Sequence, residues 1–370
     1  MSAQKVSGVH TAKDGNTAYI ALSRRGMHRR TKTKLQRLVA ITATVAVISL
    51  AIADTAGAEE AAPPTYYTLT LENDLFAGKD NGYTNGFAFS WARGGFDTFE
   101  NQAPGWIRWL SSGLYISTMP DKRRAVSYTL AQTMYTPVNL ARRDLIEDEA
   151  PYAGALLWSG RLHAFDTQVA DSLSLTLGIV GPSSGAEQSQ TLVHDFLSGD
   201  KPQGWHNQLR DEPVFQIGIQ RLARLAEASL DNGAGLELTG IGIGDVGNLK
   251  SQTIAGIGVR YGRDLDRTFP ATTALPGREV NPLAGAMPQS WNMFFNILGG
   301  YIFNDITVDG NTFRDSHSVP LRIWQAMIVG GVGYSFGRFA IQFSAVAATP
   351  RYDGEPDSTR FGTVNLTYRH

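Results

Sequence analysis

Cysteine is absent from this 370-residue chain, which excludes a disulfide framework, thiolate-bound zinc or iron-sulfur centres and a cysteine nucleophile. A basic excess is absent too. Lys+Arg number 33 against 34 Asp+Glu, a formal charge of −1, so the electrostatic footprint of a nucleic-acid binder is missing. Charged residues make up only 18%, below the roughly 25% of ordinary soluble domains. From Thr65 onward no apolar run reaches the roughly 18 residues of a membrane-spanning helix. Glycine, by contrast, is plentiful at 39 residues. Little charge, no long apolar run and much glycine together suit a sheet-rich protein with an apolar exterior.

The first 58 residues read as an address. His28 to Arg37 is basic, Leu38 to Ala53 is apolar and uncharged, and Ala56-Gly57-Ala58 is the small-x-small pattern a signal peptidase reads. The apolar stretch is shorter than the roughly 20 residues of a membrane span. A cleavable export signal is therefore expected, with Met27 as a candidate true start and residues 1–26 as an upstream extension. Removing residues 1–58 takes away nine Lys/Arg and two Asp/Glu, leaving 24 basic and 32 acidic residues in the exported part. Such a surface suits divalent cations better than DNA.

Residues 59–370 form one expected domain, built from segments of period-two alternation separated by Gly/Asn/Asp turns. Phe87, Phe89 and Trp91 alternate with small residues, as do Leu173, Leu175, Leu177 and Ile179. An apolar face backed by a small or polar one is the pattern of a lipid-facing barrel with a polar interior. Twelve strands are expected, near 66–73, 83–93, 125–135, 152–166, 169–180, 213–228, 234–244, 250–263, 290–305, 320–335, 337–348 and 359–370. An even number leaves both termini on one side, the periplasmic one, where turns should be short. Gly94 to Arg124 and Asp264 to Gln289 are too long for that rule; the first, with Trp106, Ile107, Trp109 and Leu110, suggests a short helix under the barrel.

At the outer end two polar groups are expected to meet. The first strand ends at Glu72-Asn73-Asp74. Between the fifth and sixth strands, Ala186 to Leu197 reads as a helix capped by Ser184 and stopped by Gly199. On it Gln190 and His194 lie four apart, on one face. A carboxylate and an imidazole converging at the outer mouth can bind a hard cation through oxygen and supply a general base, with the ordinary imidazole pKa of about 6.5.

Leu71-Glu-Asn-Asp-Leu-Phe76, Tyr83-Thr-Asn-Gly86, Tyr135-Thr-Pro137, Pro151-Tyr-Ala-Gly154, Gln190-Thr-Leu-Val-His194, Gly204-Trp205 and Gln208 to Pro213 follow one another in an order that resembles the outer-membrane lipid A 3'-O-deacylase (LpxR-like) family. The resemblance spans roughly residues 65–370. It implies an all-β fold, a twelve-stranded antiparallel transmembrane β-barrel with a short extracellular-loop helix carrying the active-site histidine. The activity it implies is a calcium-dependent ester hydrolase that removes the 3'-linked acyloxyacyl chain of lipid A in the outer membrane. By motif, Asp74 would hold Ca2+, Asn73 would support the site, His194 would be the base and Gln190 its neighbour. Thr84, Asp200, Arg142 and Arg143 would contact or support substrate. Lipid A or lipopolysaccharide is the implied substrate, outer-membrane lipids the surroundings, and a monomer the expected state.

Two departures from the family pattern stand out. Glu149-Ala150 precedes Pro151 where relatives commonly carry Asp-Arg, and Asp200 stands where a Glu can follow the histidine by six residues. The chain also ends in His370, with Tyr368 two residues before it, where outer-membrane barrels typically end in an aromatic residue. Other motifs have plainer readings. Gly181-Pro-Ser183-Ser-Gly185 matches a nucleophile elbow, but no βαβ alternation surrounds it and a Gly/Pro/Ser turn explains it. His163 and His206 read as structural or exposed, and Asp80-Asn81-Gly82 as a turn. A glycerophospholipid esterase and a non-enzymatic pore remain open alternatives at this level.

Overall fold

The structure is a computed structural model describing residues 65–73, 83–103, 105–197, 202–269, 290–355 and 358–370. Residues 1–58, the expected export signal, lie outside the described residues, as do Asp74, Asp80 to Gly82 and Asp200. Twelve antiparallel strands close into a barrel in which each pairs with its sequence neighbours. They are β1 (Thr65–Asn73), β2 (Tyr83–Phe96), β3 (Arg123–Tyr135), β4 (Ala153–Phe165), β5 (Val169–Val180), β6 (Glu212–Ser229), β7 (Gly235–Val246), β8 (Lys250–Gly262), β9 (Trp291–Asp305), β10 (Trp324–Phe336), β11 (Phe339–Ala348) and β12 (Arg360–Arg369). β12 closes on β1 from Tyr66↔Arg369 to Asn73↔Gly362. The main shift from the sequence reading is at β10, which starts at Trp324 and not near 320. Leu321 instead makes an isolated bridge to Tyr352.

Alternation sorts the side chains as expected. Leu130, Leu175, Leu177, Phe215, Ile217, Ile219, Phe295 and Ile297 are exposed on the outward face, a lipid-facing band that a closed barrel can present without open edges. Tyr67, Phe89, Trp91, Tyr128 and Trp158 stack in succession around β1 to β4 on the same face. Polar side chains line the interior around the wall, Gln216, Gln220, Gln252 and Asn296 on β6, β8 and β9 among them. Thr68 bonds Thr367, Thr70 bonds Asn365 and Ser90 bonds Thr129, whereas Leu157, Leu222, Ile241, Ile254, Phe294, Leu298 and Val329 form a buried apolar cluster. The polar interior is thus present as expected, with an apolar cluster packed among the polar side chains.

Buried charged clusters lie near both ends of the lumen. At the inner end, Arg224 and Arg260 share the Glu237 carboxylate (2.6 and 2.9 Å) and donate to the Leu265 and Thr268 carbonyls, drawing the turn after β8 into the barrel. The Arg224 guanidinium also lies 5.1 Å from the centre of the Phe269 ring. At the outer end α5 (Ile306–Asp309) is capped by Asp305, which also pairs with Lys250 at 3.0 Å. The buried Glu212 carboxylate accepts from the backbone N–H groups of Thr312 and Phe313, and Ala150, Val308, Val319 and Tyr352 close an apolar cluster above it. Burial, then the Glu355 charge, pushes the Tyr352 phenol up to about 12, so the phenol stays neutral. His163, sandwiched between Ser127 (2.9 Å) and Ser172 (3.0 Å), is structural as expected.

Three short helices, α1 (Phe99–Gln102), α2 (Gly105–Ser111) and α3 (Tyr115–Thr118), fill the long connection between β2 and β3. The helix expected under the barrel is instead this group, packed against the outside of its wall. Phe99, Ala103, Ile107 and Ile116 bury against Phe96, Val126, Leu162 and Ala164, which alternate with lumen-facing Ser127 and His163 and therefore face outward. Burying four apolar side chains against a wall otherwise bare of protein explains the position better than a place below the mouth.

Candidate active site

The extracellular helix α4 (Ala186–Leu197) also lies on the outward face of the wall. Pairing brings Asn73, Asn85, Met134 and Gly154 into one lateral row across β1 to β4. At the end of that row Gly154 leaves room for the helix start. A Cβ built on Gly154 would fall 2.3 Å from the Ala186 Cβ and 2.4 Å from the Ser184 Oγ. Met134, Tyr152, Ala186 and Trp205 form the buried apolar seat, and Gln132 donates to the Ser184 carbonyl at 2.6 Å. The helix thus packs on the outward face at the outer ends of β3 and β4, while the Asp74 and His194 side chains, expected to converge at the outer mouth, lie outside the described residues.

Gln190 stands one turn along the helix from Ala186 and is fully buried. Its Oε1 accepts from the Trp205 indole N–H at 2.7 Å, while its Nε2 has no partner among the described residues. An amide with one end held and the other free is an oriented donor. His194 occupies α4 one turn further on, as the spacing predicts. Its side chain lies outside the described residues. Asn73 ends β1, is buried, and by alternation shares the outward face of Leu69 and Leu71. Thr84 is the extra residue of a β-bulge, between Tyr83↔Tyr135 and Asn85↔Met134, and bulges re-aim side chains beside functional sites.

Other expectations fare differently. Ser184 is not the cap of α4: its Oγ donates to the Gly181 carbonyl, and left-handed Gly185, whose carbonyl accepts from the Ser189 N–H, begins the helix. Ser183 donates to the Asp211 carboxylate at 2.8 Å, and the same carboxylate accepts the Ser183 backbone N–H at 2.7 Å, a turn-stabilising pattern without an activating base. Arg142 and Arg143 are exposed on the stretch that packs beside the seat, where Asn207 donates to the Arg143 carbonyl. Ala150 is buried among Val308, Val319 and Tyr352, so this chain fills with packing the position where relatives carry a guanidinium. Trp205 and Gly154 are the site residues whose roles the sequence reading missed. Trp205 is 15 positions from Gln190, across an irregular stretch, and no periodicity connects them.

The donors at the end of β1 are oxygens, the chemistry a hard cation prefers. Among the described residues no three His, Asp or Glu side chains converge, so a cation here would rest on Asp74, Asn73 and backbone or water oxygens. A model of the family described as outer membrane protein LpxR matches residues 38–370. The chain belongs to the LpxR family. It is accordingly an outer-membrane barrel and a hydrolase of the lipid A 3'-O-deacylase type. LpxR from Salmonella typhimurium superposes with a TM-score of 0.65 at 14% identity, covering 82% of this chain and 99% of that one. The β domain of the Bordetella autotransporter BrkA (TM-score 0.39, 11% identity, 84% and 99% covered) and the NalP translocator of Neisseria meningitidis (0.35, 8%, 91% and 97%) lie further off. No curated protein sequence matches the chain.

The seat gives a direct test within this LpxR family member. Gly154→Val should lift α4 from the wall while leaving the twelve strands paired. Deacylation should fall roughly 100-fold, the cost of about 1 Å of misplacement, with heat-modifiable gel mobility unchanged. Full activity would show that α4 need not be seated on Gly154.

Proposed function

We propose that this protein removes the 3'-O-linked acyloxyacyl chain of lipid A by attack of a His194-activated water in a site that needs calcium. The observation that carries the reading is the placement of α4, which bears Gln190 and His194, on the outward face at the end of the lateral row that begins with Asn73. A substrate with acyl chains in the outer leaflet reaches this face by lateral diffusion, without entering the packed lumen.

In this reading the His194 imidazole takes the proton from water as the water attacks the ester carbonyl, and no acyl-enzyme forms. Gln190, its Oε1 held by Trp205, presents Nε2 to the developing oxyanion or the leaving hydroxyl. Asp74 and Asn73 would hold the cation, which when bound supplies charge that polarises the ester carbonyl. Thr84 and Asp200 flank these groups in sequence. Arg142 and Arg143, exposed on the stretch beside the seat, would meet a lipid A phosphate in place of the arginine that the family motif carries at Ala150. One chain supplies every group named, which suits a monomer.

Mass spectrometry of lipid A from cells expressing the barrel tests the proposal. Wild type with calcium should lose the mass of the 3' acyloxyacyl chain. Asp74→Ala, or wild-type membranes treated with chelator, should leave it in place. Unchanged lipid A in all samples, with the barrel folded, would refute the reading; fatty acid released from phosphatidylethanolamine instead would move the activity to phospholipids.

A further inference from the structure

Outward positions of a membrane barrel should be apolar, yet one lateral row across β2 to β7 runs Phe96, Arg124, Ala164, Asp171, Arg221, Gly242. The row crosses the inner end of the wall, close to the Asp166–Gln168 turn. The helices α1 to α3 cover its first half. Arg124 is buried there, its guanidinium bonded to the carbonyls of Asp97, Ser117, Met119 and Lys122. The cover ends at Asp171, whose side chain is 4% exposed, and the next residue in the row, Arg221, is 61% exposed.

Arg221 stands within the lipid-facing stripe of β6. Ile219 and Leu225 on either side of it are 52% and 57% exposed. Its Nε and Nη2 grip the two Asp171 oxygens at 2.7 and 3.2 Å. Among the described residues Asp171 is its only hydrogen-bond partner, and none of them accepts from Nη1. Tyr115, at the start of α3, stands close to both charges. Its phenol is raised above its usual value by burial and by Asp171, with Arg221 acting in the opposite sense. On the other side, a Cβ at Gly242 would touch nothing, leaving a recess beside the guanidinium. Trp109 on α2, 80% exposed, adds an interfacial aromatic to the same helical cover.

An exposed guanidinium within an apolar stripe is costly against hydrocarbon unless an anion meets it. Asp171 already orients the fork, leaving one edge of it to donate charge-assisted bonds to a phosphate. We infer that Arg221, oriented by Asp171 and flanked by Tyr115 and the Gly242 recess, binds the phosphate of an inner-leaflet glycerophospholipid. The site lies at the opposite end of the barrel from α4 and owes nothing to the hydrolytic chemistry.

Native mass spectrometry of the full, folded barrel with added palmitoyl-oleoyl phosphatidylglycerol tests it. Wild type should retain one tightly held lipid. The Asp171→Asn/Arg221→Gln double variant, which removes both charges without stranding either, should hold it about tenfold more weakly, a loss of about 1.4 kcal/mol. Arg221→Lys, which keeps the charge and loses the fork, should fall between them. Heat-modifiable mobility and lipid A deacylation should be unchanged in all three, which separates failure of this site from failure of the catalytic reading. Equal retention by wild type and double variant would overturn the inference. Displacement of the lipid by excess inorganic phosphate alone would overturn it too, by making the site one for free anions.

Discussion

His194→Ala is expected to lower release of the 3' acyl chain by about 10²- to 10⁴-fold, the range spanned by a positioned general base. The substitution leaves the seat of α4 intact, because the helix is held by Ala186 and Ser184 over Gly154, by the Gln132 bond to the Ser184 carbonyl, and by the Trp205 indole on Gln190. Loss of activity would therefore report on chemistry and not on folding. Gln190→Ala should act in the same direction, removing both the free amide donor and the buried anchor for Trp205. Mass spectrometry of lipid A quantifies both. Retained activity in His194→Ala would remove the imidazole from the mechanism. Labelling of Ser183 by a fluorophosphonate would then point to a serine nucleophile, against its present bond to Asp211.

The second large effect is on stability. Glu237→Ala should destabilise the barrel by about 3–5 kcal/mol, the range for breaking a buried ion pair by removing one partner. Glu237 is 2% exposed and is the one carboxylate between the Arg224 and Arg260 guanidiniums. Without it two buried cations face each other, offset by the Leu265 and Thr268 carbonyls, the Thr268 hydroxyl and the nearby Asp266 charge. Urea unfolding from phospholipid vesicles, followed by tryptophan fluorescence, should show a lower midpoint. Glu237→Gln, which keeps an acceptor and loses the charge, should lie between. An unchanged midpoint for Glu237→Ala would show that these groups alone suffice.

The strands were legible from the chain because their signal is local. A period-two pattern such as Leu173, Leu175 and Leu177 against Ser172, Ser174 and Thr176 states both the conformation and the two faces, and an even strand count states where the termini fall. Helix α4 was legible on the same ground: Gln190 and His194 are four apart, and Ala186 to Leu197 matches the helix observed. The site was legible as a set of residue types in order. Its place on the molecule was not, because alternation says which residues share a face but not what a long connection does after it leaves the strand.

By itself, then, the sequence determined twelve strands, a lipid-facing exterior, an outer-end helix bearing Gln190 and His194, and the family. Tertiary structure alone decided that α4 and α1 to α3 pack on the outside of the wall, that the lumen is packed with Phe269, Leu298 and Val329, and that Trp205 holds Gln190. The reason is physical. Secondary structure follows from patterns a few residues long, whereas the seat at Gly154 joins residues brought together by strand register. The Arg224–Glu237–Arg260 cluster arises the same way, from the register of the neighbouring strands β6, β7 and β8, in which Glu237 stands directly opposite Arg260.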